Sequence, residues 1–152
     1  AEYWHQVIKI NDYQKERFAQ KIIDHFGGDL TGKKIAILGW AFKSNTNDSR
    51  ESPAIYVAEK LFKAGAILEI YDPMVSKESI FSDIDFYWES TKTEDLKSRI
   101  SALDSISTLD LSFDATAILT EWEAFKSLDY SKTLVFDGRG VLSSSTYSIG
   151  KG

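Results

Sequence analysis

Lys43 and Arg50 stand in one polar stretch, Gly39-Trp40-Ala41-Phe42-Lys43-Ser44-Asn45-Thr46-Asn47-Asp48-Ser49-Arg50-Glu51-Ser52. Two cations just ahead of a helix N-terminus are placed to stabilise a phosphate or diphosphate, since cations and first-turn N–H groups would act on one anion. The same stretch also reads as a solvated loop in which Asp48 and Glu51 cancel both charges. Arg139 follows Asp137-Gly138. Its planar fork suits bidentate phosphate binding, or it is held by Asp137 or a backbone carbonyl. Asp72 stands where a ribose-binding carboxylate would. However, 72 − 39 = 33 residues separate it from Gly39, against ~20 in a dinucleotide-binding pattern. Asp72-Pro73 therefore reads as a turn, and Trp122 as core. His5 and His25 have neither triad nor metal spacing and read as structural.

Several chemistries are excluded outright. A G-x-G-x-x-G fingerprint after Gly39 would need glycine at 41 and 44, which are Ala41 and Ser44, and no Gly-Lys-Ser/Thr makes a phosphate-binding P-loop. There is no cysteine, hence no disulfide, thiolate metal site or cysteine nucleophile in this chain. That fits a reducing, cytoplasmic compartment. The net charge is −5, so total charge favours neither nucleic acid nor an anionic membrane as a partner. No apolar run reaches the ~18 residues of a membrane span. Leu38-Gly39 stands where a signalling receiver domain would carry an acidic cluster.

The elements that must position these residues follow from periodicity. The chain has 152 residues, 43% hydrophobic and 27% charged, an ordinary single-domain composition. Apolar residues at three- and four-residue spacing predict the end of one helix over 2–10. A second helix is predicted over 13–26, capped by Asp12 and stopped by Gly27-Gly28. Short apolar runs predict doubly buried strands at 33–39, 66–71, 115–119 and 133–136. Ser52-Pro53 opens a helix that ends near Gly65. The middle is less regular: Ile84–Tyr87 is predicted as a strand, Glu94–Ile100 as a helix capped by Thr93, and Glu121–Leu128 as a short helix. Strands alternating with helices predict an α/β fold, a Rossmann-like three-layer open and mostly parallel sheet with helices on both faces, preceded by N-terminal helices. In such sheets ligands gather at the carboxyl ends of strands, where three loops fall: Gly39–Ser52, Thr120-Glu121-Trp122 and Asp137-Gly138-Arg139-Gly140.

Taken together, these stretches resemble a known family. Ile37-Leu38-Gly39-Trp40-Ala41-Phe42-Lys43, then Asp48-Ser49-Arg50-Glu51-Ser52, is similar to the G-x-A-F-K … D-x-R-x-S signature of the C-terminal, UDP-binding domain of UDP-glucose dehydrogenases. Tyr71-Asp72-Pro73, Thr120-Glu121-Trp122 and Phe136-Asp137-Gly138-Arg139 recur there in the same order, and the resemblance covers essentially the whole chain.

The resemblance implies oxidation of UDP-glucose to UDP-glucuronate in two hydride transfers to NAD, through a catalytic cysteine and an NAD domain that lie outside this chain. It implies that Phe42, Lys43 and Arg139 contact the UDP-sugar, and that Arg50 reaches towards the NAD pyrophosphate. Asp48 and Ser52 would shape and cap the loop. A second arginine that follows in many relatives is Gly140 here. Residues 1–12 would be the tail of a central helical dimerisation region, and 13–152 the UDP-sugar-binding domain. The expected partners are UDP-glucose or UDP, the rest of the dehydrogenase chain and further copies of it, with no nucleic acid or membrane. Relatives acting on UDP-N-acetylmannosamine, UDP-N-acetylglucosamine or GDP-mannose share the plan, and a non-catalytic nucleotide-binding module is the alternative from another class. The first residues, Ala1-Glu2-Tyr3-Trp4, fall inside the predicted first helix and lack an initiator Met. They lead us to expect a piece of a longer protein.

Overall fold

The computed structural model describes residues 12–88, 98–105 and 111–142. Among these, five strands form one all-parallel sheet: β1 (Lys34–Leu38), β2 (Ile67–Tyr71), β3 (Ile100–Leu103), β4 (Ala115–Ile118) and β5 (Leu134–Asp137), in the order β3-β2-β1-β4-β5. The order reverses direction at β1, so the exits of β1 and β4 flank the topological switch point of the sheet.

The register explains the doubly apolar strands. Ile37 pairs with Ile70 and Ala117, and Ala117 with Phe136, so these side chains share one face. Helix α1 (Asp12–His25) covers that face: His25 meets Phe136 edge to face, and Phe18 lies against Gly138. Helix α2 (Pro53–Lys63) packs beside α1 and buries the stripe Ala54, Ile55, Val57, Ala58, Leu61 and Phe62. On the other face Tyr71 meets Phe125 of a 3-10 helix over Glu123–Ser127. Helical elements therefore sit on both faces, as expected.

Most of the predicted elements stand where the periodicity puts them. Ser52 caps α2, its hydroxyl accepting from the Ala54 N–H, with Pro53 in the first turn. Gly28 donates back to the Ile23 carbonyl and closes α1. Two expectations change. Ile84–Tyr87 is not a strand: it is the last turn of helix α3 (Lys77–Tyr87), capped by Ser76, whose side chain accepts from the Ser79 N–H. Ile80 and Ile84, one helical turn apart, are its buried residues, a helical spacing that the β-like run Ile84–Tyr87 masks in the sequence. Ile100, expected to end a helix, instead opens edge strand β3. The expected helices over 2–10 and from Glu94 to Lys97 lie outside the described residues.

Gly39 is the point where sheet geometry demands a particular residue. It leaves β1 with φ of 102°, and a Cβ there would lie 2.5 Å from Thr120 backbone and side chain. Gly39→Ala is expected to cost about 3 kcal/mol, combining left-handed strain with overpacking. Urea unfolding should show a lowered midpoint at unchanged slope; an unchanged midpoint would contradict this close packing.

Candidate functional site

The loop from Gly39 to Ser52 leaves β1 at the carboxyl edge of the sheet, and buried groups of its neighbours fix its course. Asp72, at the end of β2, is the main one. Among the described residues its carboxylate accepts five N–H bonds: Oδ2 from the Trp40 and Ala41 amides (2.7 and 2.9 Å) and the Trp122 indole (3.1 Å), Oδ1 from the Met74 and Val75 amides (2.8 and 3.2 Å). The residue is 3% exposed. A buried carboxylate is tolerable only with such full satisfaction, and each charge-assisted bond contributes about 1.5–3 kcal/mol. Asp72 thus joins the exits of β1, β2 and β4. The expected turn is present, and Trp122 is core as expected.

The next residues are held as firmly. The Ala41 carbonyl accepts from the Thr120 hydroxyl at 2.8 Å. The Phe42 amide donates to the Asp48 carbonyl at 2.8 Å, bringing the two limbs of the loop together. The Trp40 indole and the Ser49 hydroxyl both donate to Oδ2 of Asp83 on α3, at 2.9 and 2.5 Å. Tyr87, also on α3, accepts from the Glu51 amide at 3.4 Å.

Arg139 enters from the β5 exit. Asp137, 1% exposed, shapes the turn by accepting from the Arg139, Val141 and Leu142 amides. The Arg139 side chain, only 9% exposed, donates through Nε to the Leu119 carbonyl and through Nη2 to the Phe42 carbonyl, both at 3.0 Å. Its Nη1 lies 3.8 Å from Glu121. Burial lowers the guanidinium pKa and Glu121 opposes this, but the group stays charged. Arg139 is thus held by backbone carbonyls, as one of its expected settings had it, and it reaches two loops at once.

Phe42 presents its ring to solvent, 48% exposed, and Lys43 beside it is exposed. Phe42, Lys43 and Arg139 are therefore brought together. Arg50 lies on the returning limb and is 85% exposed. Its guanidinium bonds Asp48 bidentately at 3.1 Å, which lowers the Asp48 pKa and raises that of Arg50. The charge cancellation read from sequence is thus real for Arg50 and Asp48. In water this exposed pair contributes little, so the buried bonds set the loop. Helix α2 starts at the end of the loop, adding its positive end to the same edge.

Sequence reasoning missed Asp83 and undervalued Asp72 and Asp137. The last two carried a signal, an Asp at the carboxyl end of a buried strand. Asp83 carried none, being an acidic residue within a helix. Among the described residues, no group of three or more His, Asp or Glu could hold a metal, and no helix is long and apolar enough to cross a membrane.

An open parallel sheet whose polar site lies at its switch point defines a Rossmann-like α/β domain. Residues 36–144 match the model of the UDP-glucose/GDP-mannose dehydrogenase family, UDP binding domain, and the chain belongs to that family. UDP-glucose 6-dehydrogenase 1 of Arabidopsis thaliana is 39% identical to it over 176 residues, covering 99% of this chain and 37% of that protein. UDP-glucose 6-dehydrogenase of Gallus gallus is 44% identical over 150 residues, covering 93% of this chain and 30% of that protein. The chain therefore spans about a third of the length of these relatives. Among solved structures, a UDP-glucose dehydrogenase from the archaeon Pyrobaculum islandicum is similar with a TM-score of 0.64 at 26% identity, over 88% of this chain and 29% of that one. UDP-N-acetyl-mannosamine dehydrogenase Cap5O from Staphylococcus aureus, at 21% identity and TM-score 0.61 over 93% of this chain and 31% of that one, shares the fold.

Asp72→Asn turns an amide NH2 towards N–H donors on one side of the carboxylate. The variant is expected to lose about 2–4 kcal/mol of stability. Chemical denaturation checks this, and a loss within error would show that the five bonds do not hold the three strand exits.

Proposed function

We propose that this chain is the UDP-sugar-binding domain of an NAD-dependent UDP-glucose 6-dehydrogenase. Residues 13–152 form that domain, and residues 1–12 are the tail of a preceding helical dimerisation region. The full-length protein oxidises UDP-glucose to UDP-glucuronate in two hydride transfers and works in the cytoplasm as a homo-oligomer. The observation that carries this reading is the junction of two strand exits at the switch point: the Arg139 guanidinium lies 3.0 Å from the Phe42 carbonyl, with Lys43 next to it. The relatives that match nearly all of this chain are UDP-glucose 6-dehydrogenases, which supports UDP-glucose as the substrate.

The roles follow from charge and shape. A diphosphate carries negative charge that Lys43, Arg139 and the positive end of α2 stabilise at one edge. The exposed ring of Phe42 offers an apolar face to the sugar or the base. Arg50, on the outer limb, is assigned to the cofactor side, towards the pyrophosphate of NAD.

The residues of this chain do not themselves fit a dinucleotide cradle. The chain does not turn from β1 directly into a helix, and the Ala41 position, where a glycine would let a pyrophosphate approach, is fully buried and committed to Asp72. NAD is therefore assigned mainly to the part of the dehydrogenase outside this chain, as is the catalytic cysteine, since the chain has none.

Isothermal titration of the chain with UDP tests the reading. Lys43→Ala is expected to weaken UDP about tenfold, the loss of one charge-assisted contact. Arg139→Lys should weaken it as well and lower the unfolding temperature, because a lysine cannot bridge both carbonyls. Arg50→Ala should leave UDP affinity unchanged. The chain alone should not reduce NAD with UDP-glucose. Wild-type affinity in both the Lys43 and Arg139 variants, or turnover by this chain, would contradict the assignment.

A further inference from the structure

Asp83 is absent from every expected role, yet it touches both limbs of the site loop. Its Oδ2 accepts from the Trp40 indole at 2.9 Å and from the Ser49 hydroxyl at 2.5 Å. Trp40 immediately follows Gly39 and is fully buried. Ser49 stands between Asp48 and Arg50 on the returning limb. One carboxylate oxygen on α3 therefore ties the outgoing limb to the returning one. Between these ties the chain carries Phe42 and Lys43 and reaches φ of 65° at Asn45. Farther along it reaches φ of 56° at Glu51, a residue type that disfavours that region. A loop with two left-handed residues relaxes unless its surroundings hold it. Tyr87, one turn after Asp83, gives the second hold, on the Glu51 amide.

We infer that Asp83 is a positioning residue for nucleotide-sugar binding, setting the Phe42 ring and the Lys43 ammonium where a diphosphate sugar meets them. The inference rests on the UDP-binding reading above. Its physical basis is preorganisation: a loop fixed before binding does not lose conformational entropy on binding. Asp83 makes no contact with the ligand in this account. Removing it leaves every proposed ligand contact chemically present but unfixed.

The test uses the whole chain and three variants. Asp83→Ala removes the acceptor, Asp83→Asn keeps an oxygen able to accept both bonds, and Asp85→Ala removes the same charge from an exposed position on the same helix. Amide hydrogen exchange is read separately for residues 39–52 and for β5. Asp83→Ala is expected to speed exchange in 39–52 at least tenfold with β5 unchanged, and to weaken UDP about tenfold in calorimetry. Asp83→Asn should stay within about threefold of wild type in both readings, and Asp85→Ala should match wild type. Exchange in 39–52 that is unchanged in Asp83→Ala overturns the inference whether or not UDP binds. Loosened exchange with undiminished UDP affinity overturns it too, since the loop would then need no fixing. If wild type itself fails to bind UDP, the functional reading fails, and positioning for UDP fails with it.

Discussion

A carboxylate buried in protein must replace its water shell with donors, and Asp72 does so with N–H groups from three separate segments. This requirement organises the carboxyl edge of the sheet. The exits of β1, β2 and β4 cannot drift apart without stranding either a buried charge or a buried amide. Once Trp40 and Ala41 are fixed on Asp72, the Ala41 carbonyl faces Thr120 and the Phe42 carbonyl faces Arg139. Gly39 is the steric counterpart, since the strand can meet Thr120 only without a side chain. Electrostatic need and steric allowance thus act on consecutive residues.

Beyond that anchor the loop is built for presentation. Its inner residues are committed to buried partners, while Phe42, Lys43 and Arg50 are exposed. Arg139 shows how one side chain serves two ends: its fork holds two loop carbonyls and lies at the edge where an anion would sit. The exposed pair of Arg50 and Asp48 is of another kind, solvated and easily exchanged for a new partner. Firm inner bonds beside exchangeable outer charges suit a site completed by another part of a longer protein, and about two thirds of the length of the relatives lies outside this chain.

Much of this was legible in sequence because the signals were local. Strands β1, β2, β4 and β5 are short, mostly apolar runs, interrupted internally by Glu69 in β2 and Thr116 in β4, and Ser52-Pro53 is a cap that works through adjacent residues. The rest depended on distance. Strand β3, Ile-Ser-Ala-Leu, is no less apolar than β4, but its first residue also fits the end of the helix expected over Glu94–Ile100, and the strand is defined by its edge pairing with β2. Helix α3 was hidden because only Ile80 and Ile84 of its residues are buried, leaving Phe81 and Phe86 to blur the period. Asp83 is separated from Trp40 and Ser49 by 43 and 34 residues, and no local pattern reports a hydrogen bond of that span. Lys43 and Arg50 were visible as charges, but which of them is tied to Asp48 is a matter of loop geometry.

In the proposed function, the strand exits around Asp72 form one preorganised diphosphate-sugar site. Titrating UDP into the isotopically labelled chain and following backbone amide shifts tests it most directly. The shifts should concentrate in residues 39–52, 119–122 and 137–140 and saturate together with one dissociation constant. Shifts centred instead on the groove between α1 and α2 lined by Lys15, Glu16, Tyr56, Glu59, Lys60 and Lys63, or no saturable shifts at all, would contradict that site.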